Sequence, residues 1–339
     1  MSFSWSRILP NGTPDKGVNG QGLAFYNYVV NELLNAGITP WVTLFHWDTP
    51  SAVHNLTDKG SFLSTDIIEK YNSYADLAFA AFGDRVKHWI TFNEPWTYSL
   101  NGYGSGDHAP GRCSDPKCAT GGGGNTSTEP YIVAHNILLS HARAVQTYRQ
   151  KYQATQGGVI GFTSNTDFNV PFNSSKKEDV EAANRAMAFS FGWFYDPVMF
   201  GKYPDEMTSF IKDGRLPTFT PQESASLKGS VDYIGLNHYT SSFSRDNPSG
   251  KQGNWWSDAL VDNTKNGIDG KPIGPQAEPW WLYVYPEGMR GILKWAADRY
   301  NNTLTYVFEN GVSVPNENVM PIKDAVNDTF RINFYKGYM

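Results

Sequence analysis

The chain has 339 residues, 40% of them hydrophobic and 15% aromatic, which is enough to fill a large core and excludes a disordered polypeptide. Its net charge of −5 argues against nucleic acid or an anionic membrane as the main partner, and no apolar run approaches the ~20 residues that a spanning helix needs. Residues 1–10 carry neither the cationic start nor the long apolar stretch of a signal peptide.

In chain order, residues 1–9 alternate and stop at Pro10-Asn11-Gly12, which reads as a strand and a turn. Residues 23–36 keep helical spacing through Leu23, Tyr26, Val30, Leu33 and Leu34, and Gly37 stops them. Residues 38–45 form an apolar strand ending at His46-Trp47-Asp48. Residues 66–82 read as a helix that opens on Asp66 with Glu69 three positions on and closes at Gly83. A strand from Val86 then climbs to Asn93-Glu94, where Pro95, having no amide hydrogen, cannot continue a ladder. Residues 97–128 are rich in Gly, Ser and Pro and read as one long loop. Beyond it come a helix from Pro130 to about 152, a strand over 158–166 ending near Asn165, and a helix over 177–193. A strand over 231–236 leads to Asn237-His238-Tyr239, a helix spans 286–300, and a last strand spans 304–308 before Glu309-Asn310-Gly311.

Apolar strands alternating with helices predict parallel strands joined by right-handed crossovers. Each strand ends in polar or aromatic residues: His46, Glu94, Asn165, Asn237, Tyr239 and Glu309. Polar chemistry gathered at one end of every strand predicts an α/β fold, a (β/α)8 barrel. An open doubly wound sheet would call for a glycine-rich phosphate loop after the first strand, and none is there. About six of eight strands fall in this chain, so residues 1–339 are expected to be a single, partial barrel domain, an internal piece of a longer protein lacking one strand at each end.

Two glutamates at strand ends, without an HExxH or other tight histidine cluster, suit glycosidic bond cleavage, which takes a proton donor and a second carboxylate and no cofactor. A single such glutamate reads better as an ion-paired rim residue; two, each beside Asn and a strand breaker, favour chemistry. Cys113 and Cys118 sit in the Gly/Pro-rich loop, and their spacing favours a small disulfide-closed loop over two free thiols. Six N-x-S/T sequons, at Asn11, Asn55, Asn125, Asn173, Asn301 and Asn327, agree with a secretory, glycosylated history.

Thr91-Phe92-Asn93-Glu94-Pro95 and Glu309-Asn310-Gly311 resemble the two signatures of glycoside hydrolase family 1, the β-glucosidase family. Ser4-Trp5-Ser6-Arg7-Ile8-Leu9-Pro10, Leu44-Phe45-His46-Trp47-Asp48, Ala109-Pro110-Gly111-Arg112-Cys113, Gly192-Trp193-Phe194, Asp196-Pro197, Ile234-Gly235-Leu236-Asn237-His238-Tyr239 and Tyr285-Pro286-Glu287-Gly288 are similar to further family segments, in family order. The short cysteine loop is closest to plant-type members. The resemblance implies a retaining β-glucosidase hydrolysing terminal β-D-glucosyl residues of a β-glucoside or oligosaccharide. Glu94 would be the acid/base and Glu309 the nucleophile. His46 and Asn93 would bind sugar hydroxyls, Asn237 would support them, Tyr239 would orient the nucleophile, and Trp281 would wall the leaving group. Other family specificities (galactoside, fucoside, mannoside, 6-phospho sugar) and a non-catalytic sugar-binding barrel are the alternatives. Phe308 stands where the family usually has Thr, and the role of His238 is open. The family's sugar-binding Gln and Arg and its last-strand Glu and Trp fall outside residues 1–339, so the piece alone is expected to be far weaker than its parent. The parent is expected in the secretory pathway: extracellular, vacuolar or in a plastid lumen.

Overall fold

The computed structural model describes residues 1–119 and 121–339. Its strands are β1 (Trp41–Phe45), β2 (His88–Asn93), β3 (Val159–Asn165), β4 (Phe168–Pro171), β5 (Ile234–Asn237), β6 (Ser241–Asp246), β7 (Val261–Thr264) and β8 (Thr305–Glu309). Five of them form one all-parallel sheet in the order β1-β2-β3-β5-β8, with helices between successive members. This is the greater part of a (β/α)8 barrel wall. The sheet curls, because Trp41 on one edge strand meets Tyr306 and Phe308 on the other at ring distances of 4.8 and 5.1 Å. Trp41, His88, Tyr233, Tyr306 and Phe308 thus make an aromatic layer inside the curve, below the strand ends.

The outer face is covered by helices whose apolar positions recur every three or four residues. In the helix Ile67–Phe82, Ile67, Tyr71, Tyr74, Ala75, Ala78, Phe79 and Phe82 are all fully buried. Each large side chain so buried contributes about 1.5–3 kcal/mol of transfer free energy. Two phenols on that helix also reach the sheet backbone: Tyr71 donates to the Thr91 carbonyl at 2.6 Å and Tyr74 to that of Leu44 at 3.0 Å. The helix Glu129–Lys151 packs beside it, and one contiguous core joins both to the strands. β8 is less protected. It lies at the sheet edge, and Leu304, Tyr306 and Val307 are 58%, 37% and 42% exposed.

Several expectations are corrected. The strand expected over residues 1–9 is a single bridge, Ser2 to Thr43, followed by a helical turn, Trp5–Ile8, that Ser4 caps. The parallel sheet therefore has five strands and the rudiment of a sixth. Residues 97–128 are not all loop: Pro95 stops β2 but, as the first residue of a helix, opens Pro95–Tyr103, where a missing amide hydrogen costs nothing. Asp66 makes no side-chain cap, since it is itself helical in φ and ψ, and Glu69 instead pairs with Arg143 at 2.7 Å. The small sheet β4-β6-β7, parallel and then antiparallel, has no apolar alternation to announce it. Its interior is polar, with Ser244 donating to Asn169 at 2.9 Å.

The close approach of strands at Gly235 yields a stability prediction. A Cβ there would lie 2.6 Å from the Phe162 carbonyl, 2.8 Å from the Phe308 ring and 2.9 Å from the Thr163 Cα, whereas at Gly20 it would meet nothing within 4 Å. Gly235→Ala is expected to lose about 1–3 kcal/mol in denaturant unfolding. Gly20→Ala, at the start of a helix, is expected to be neutral or to gain about 0.5–1 kcal/mol.

Candidate active site

A strand sends successive side chains to opposite faces, so two neighbours can share a face only if the ladder is broken. Both glutamate-bearing strands are broken just before the glutamate. In β2, Ile90 pairs with Gly161 but the next pair is Asn93 with Thr163, an irregularity that sets two residues against one. Thr91 and Phe92 both turn toward the outer helices, where Thr91 meets His141 at 2.7 Å and Phe92 stacks on Tyr71 at 4.5 Å. Asn93 then faces inward, and Glu94 follows it inward through a left-handed backbone with φ of 43°. In β8, Val307 pairs with Leu236 and Glu309 with Asn237, so Phe308 is the extra residue. Phe308 and Glu309 both turn inward.

The side chains delivered this way form one network. His46 Nε2 lies 3.2 Å from Asn93 Nδ2. Asn237 Nδ2 donates to Asn93 Oδ1 at 3.2 Å and to Glu94 Oε1 at 2.8 Å. Its orientation is set by Thr163, whose hydroxyl donates to Asn237 Oδ1 at 3.0 Å. Two residues along, Tyr239 donates its phenol proton to Glu309 Oε2 at 2.6 Å. The end of β5 therefore holds both carboxyls, one through Asn237 and one through Tyr239. Trp281 stands edge-on to Tyr239 at 6.3 Å and is 39% exposed, at the rim. Asn165, at the end of β3, is the register partner of Asn237 and makes no side-chain bond through its buried Oδ1.

Burial pushes Glu94 above the ordinary glutamate value; the hydrogen bond from Asn237 opposes this, and the charge of Glu309 adds to it. Tyr239 is likewise raised by burial and by its bond to Glu309, so its phenol stays a donor.

All seven residues expected to act on substrate (Glu94, Glu309, His46, Asn93, Asn237, Tyr239 and Trp281) lie at this mouth. Cys113 and Cys118 are joined as a disulfide in the loop after the helix Pro95–Tyr103, outside the network. Sequence reasoning missed Thr163 as the residue that turns the Asn237 amide. It also missed Trp47, which has φ of 71° and donates its indole proton to the Asn93 carbonyl at 2.8 Å. Position in an apolar strand hides the first, and nothing in the sequence marks the backbone of the second. Arg112, in the loop, pairs with Glu129 through two hydrogen bonds of 2.9 and 2.6 Å and ties that loop to the long helix.

The family model described as glycosyl hydrolase family 1 matches residues 1–339. The chain is 46% identical over 345 residues to beta-glucosidase 16 of Arabidopsis thaliana and over 344 residues to beta-glucosidase 12 of rice, Oryza sativa subsp. japonica. All of the chain is covered in both, and it spans 65% and 66% of their lengths. Among solved structures it is similar to a rice beta-glucosidase, with a TM-score of 0.94 and 42% identity, covering 99% of this chain and 70% of that one. It is also similar to a beta-glucosidase of the fungus Humicola insolens in complex with glucose, with a TM-score of 0.93 and 40% identity, over 99% and 69% of the two chains.

The raised Glu94 carboxyl predicts a pH-dependent stability. Between the ordinary value of 4.5 and its own higher value, the native state holds a proton that the unfolded chain has released. Stability therefore falls as pH rises through that window and stays lower above it. Glu94→Gln carries no charge and keeps an oxygen for Asn237. It is expected to raise the thermal midpoint over wild type near neutral pH, with the gain vanishing below pH 4.5, in parallel melts across pH.

Proposed function

Since the chain belongs to glycosyl hydrolase family 1, we propose that it carries the catalytic pair of a retaining β-glucosidase acting on terminal β-D-glucosyl residues. The observation that supports this most is the shared anchoring of Glu94 and Glu309 on the end of β5, with the Glu94 carboxyl raised above its ordinary value by burial. Glu94 gives that proton to the glycosidic oxygen while a carboxylate oxygen of Glu309 attacks the anomeric carbon, so the leaving group departs as a neutral alcohol. Water then attacks the glucosyl ester, Glu94 takes its proton, and glucose leaves with its β configuration restored as Glu309 regains its carboxylate.

The other residues bind and orient. His46 and Asn93, linked at 3.2 Å, bind the sugar hydroxyls in this reading, Asn93 taking the one next to the anomeric carbon. Tyr239 keeps one oxygen of Glu309 occupied and aims the other. Trp281, exposed at the rim, offers an apolar face to the leaving group. Every acid, base and nucleophile in the scheme is a side chain of this chain.

The test is mass spectrometry after incubation with a 2-deoxy-2-fluoro-β-glucoside bearing an activated leaving group. One glucosyl adduct is expected on the peptide containing Glu309, absent from Glu309→Gln. Glu94→Gln is expected to slow hydrolysis of unactivated β-glucosides by about 10²–10⁴-fold, the usual worth of a general acid. No adduct, or an adduct on another residue, would overturn the assignment.

A further inference from the structure

We infer that His238 is a positioning residue for Glu309, an inference that rests on the glycosidase reading and assigns the nucleophile's alignment to one imidazole. The bulge at Phe308 ends the regular β5–β8 ladder just where Glu309 must be aimed. Beyond it, one residue holds the backbone. The His238 amide donates to the Glu309 carbonyl at 3.0 Å, and the Asn310 side-chain amide donates to the His238 carbonyl at 2.8 Å. His238 also stands between Asn237, which binds Glu94, and Tyr239, which binds Glu309, so a tilt of its peptide planes would move both carboxyls' partners.

What fixes His238 is its ring. The side chain is fully buried, and its Nδ1 lies 3.0 Å from the carbonyl of Thr166, one residue past the end of β3. A carbonyl only accepts, so Nδ1 carries the proton and Nε2 does not. Burial holds the imidazole in its neutral form. The ring is hemmed in: a Cβ on Gly288 would lie 3.3 Å from Nε2, and the Tyr338 ring is 6.3 Å away. The ring's hydrogen bond thus ties His238 to the chain just past β3, adding to the Thr163–Asn237 bond and the β3–β5 ladder, and the backbone of His238 carries that hold to Glu309 and Asn310 at the bulged end of β8.

Two variants separate positioning from packing. His238→Phe keeps a ring and removes the donor, whereas His238→Asn puts an amide donor near the place of Nδ1 and loses ring volume. Each is followed by hydrogen exchange of the peptide 304–311 and by the concentration dependence of Glu309 labelling with the fluoroglucoside. For His238→Phe, exchange in 304–311 is expected to rise. Its maximal labelling rate is expected to fall about tenfold, about 1.4 kcal/mol, with the half-saturating concentration unchanged. His238→Asn is expected to recover most of both. Wild-type behaviour of His238→Phe, or equal damage in His238→Asn, would overturn the inference. If the wild-type chain takes no label, the glycosidase reading fails by itself. The exchange arm then still decides: faster exchange in His238→Phe that His238→Asn reverses upholds the clamp, and unchanged exchange overturns it.

Discussion

The site depends on breaking the two-residue repeat of a β-strand at two places. An unbroken β2 would send Asn93 and Glu94 to opposite faces, and an unbroken β8 would send Glu309 outward behind an inward Phe308. β2 instead spends one residue in a bulge before Asn93 and brings Glu94 to the same face through left-handed backbone, while β8 spends one residue immediately before Glu309. The bulge residue Phe308 still faces inward and completes the aromatic layer below, while Glu309 after it joins the polar layer above. The junction between the two runs through Ile90 on one strand and Val307 on the other.

A bulge leaves backbone groups without ladder partners, and the surroundings of both bulges supply substitutes. Near β2, the Thr91 carbonyl takes the Tyr71 phenol and the Asn93 carbonyl takes the Trp47 indole, while the Glu94 amide reaches the Thr163 carbonyl at 2.9 Å. Near β8, His238 serves the same purpose. These partners come from a helix, a loop and neighbouring strands, so the geometry of the mouth is determined by the whole wall and not by the two signature segments alone. The same enclosure raises the Glu94 carboxyl: Glu94 is removed from water, and its hydrogen bond from the Asn237 amide does not fully offset that loss.

Much of this was legible in the sequence. Apolar runs ending in polar tips gave the five parallel strands and located Glu94, Glu309, Asn237 and Tyr239 at one rim. What stayed hidden was whatever periodicity does not encode. A one-residue bulge shifts register without changing the apolar composition of β2 or β8. The left-handed turns at Trp47 and Glu94 occur at residue types that rarely adopt them, so nothing local announces them. β4, β6 and β7 escape notice because Ser244 meets Asn169 and Asn263 across that sheet in place of an apolar face. The helix Pro95–Tyr103 lay within reach, since a proline that ends a strand is equally a good first residue of a helix. Residues 1–9 alternate as a strand does, yet the hydroxyl of Ser4 captures the Arg7 amide and turns the chain into a helix after one bridge.

β8 carries Glu309 and is also the wall strand with neighbours on one side only and with its outer residues open to solvent. Cooperative units of a fold open in order of their local stability, and a strand with one bonded flank and partly exposed side chains belongs at the low end of that order. The arrangement around Glu309 and the global fold are therefore separable properties of this polypeptide. A transient peeling of residues 305–309 would disconnect Glu309 from Tyr239 and His238 while the buried helices and β1, β2 and β3 remain intact. The same peeling would bare an unpaired edge, a template for self-association between chains.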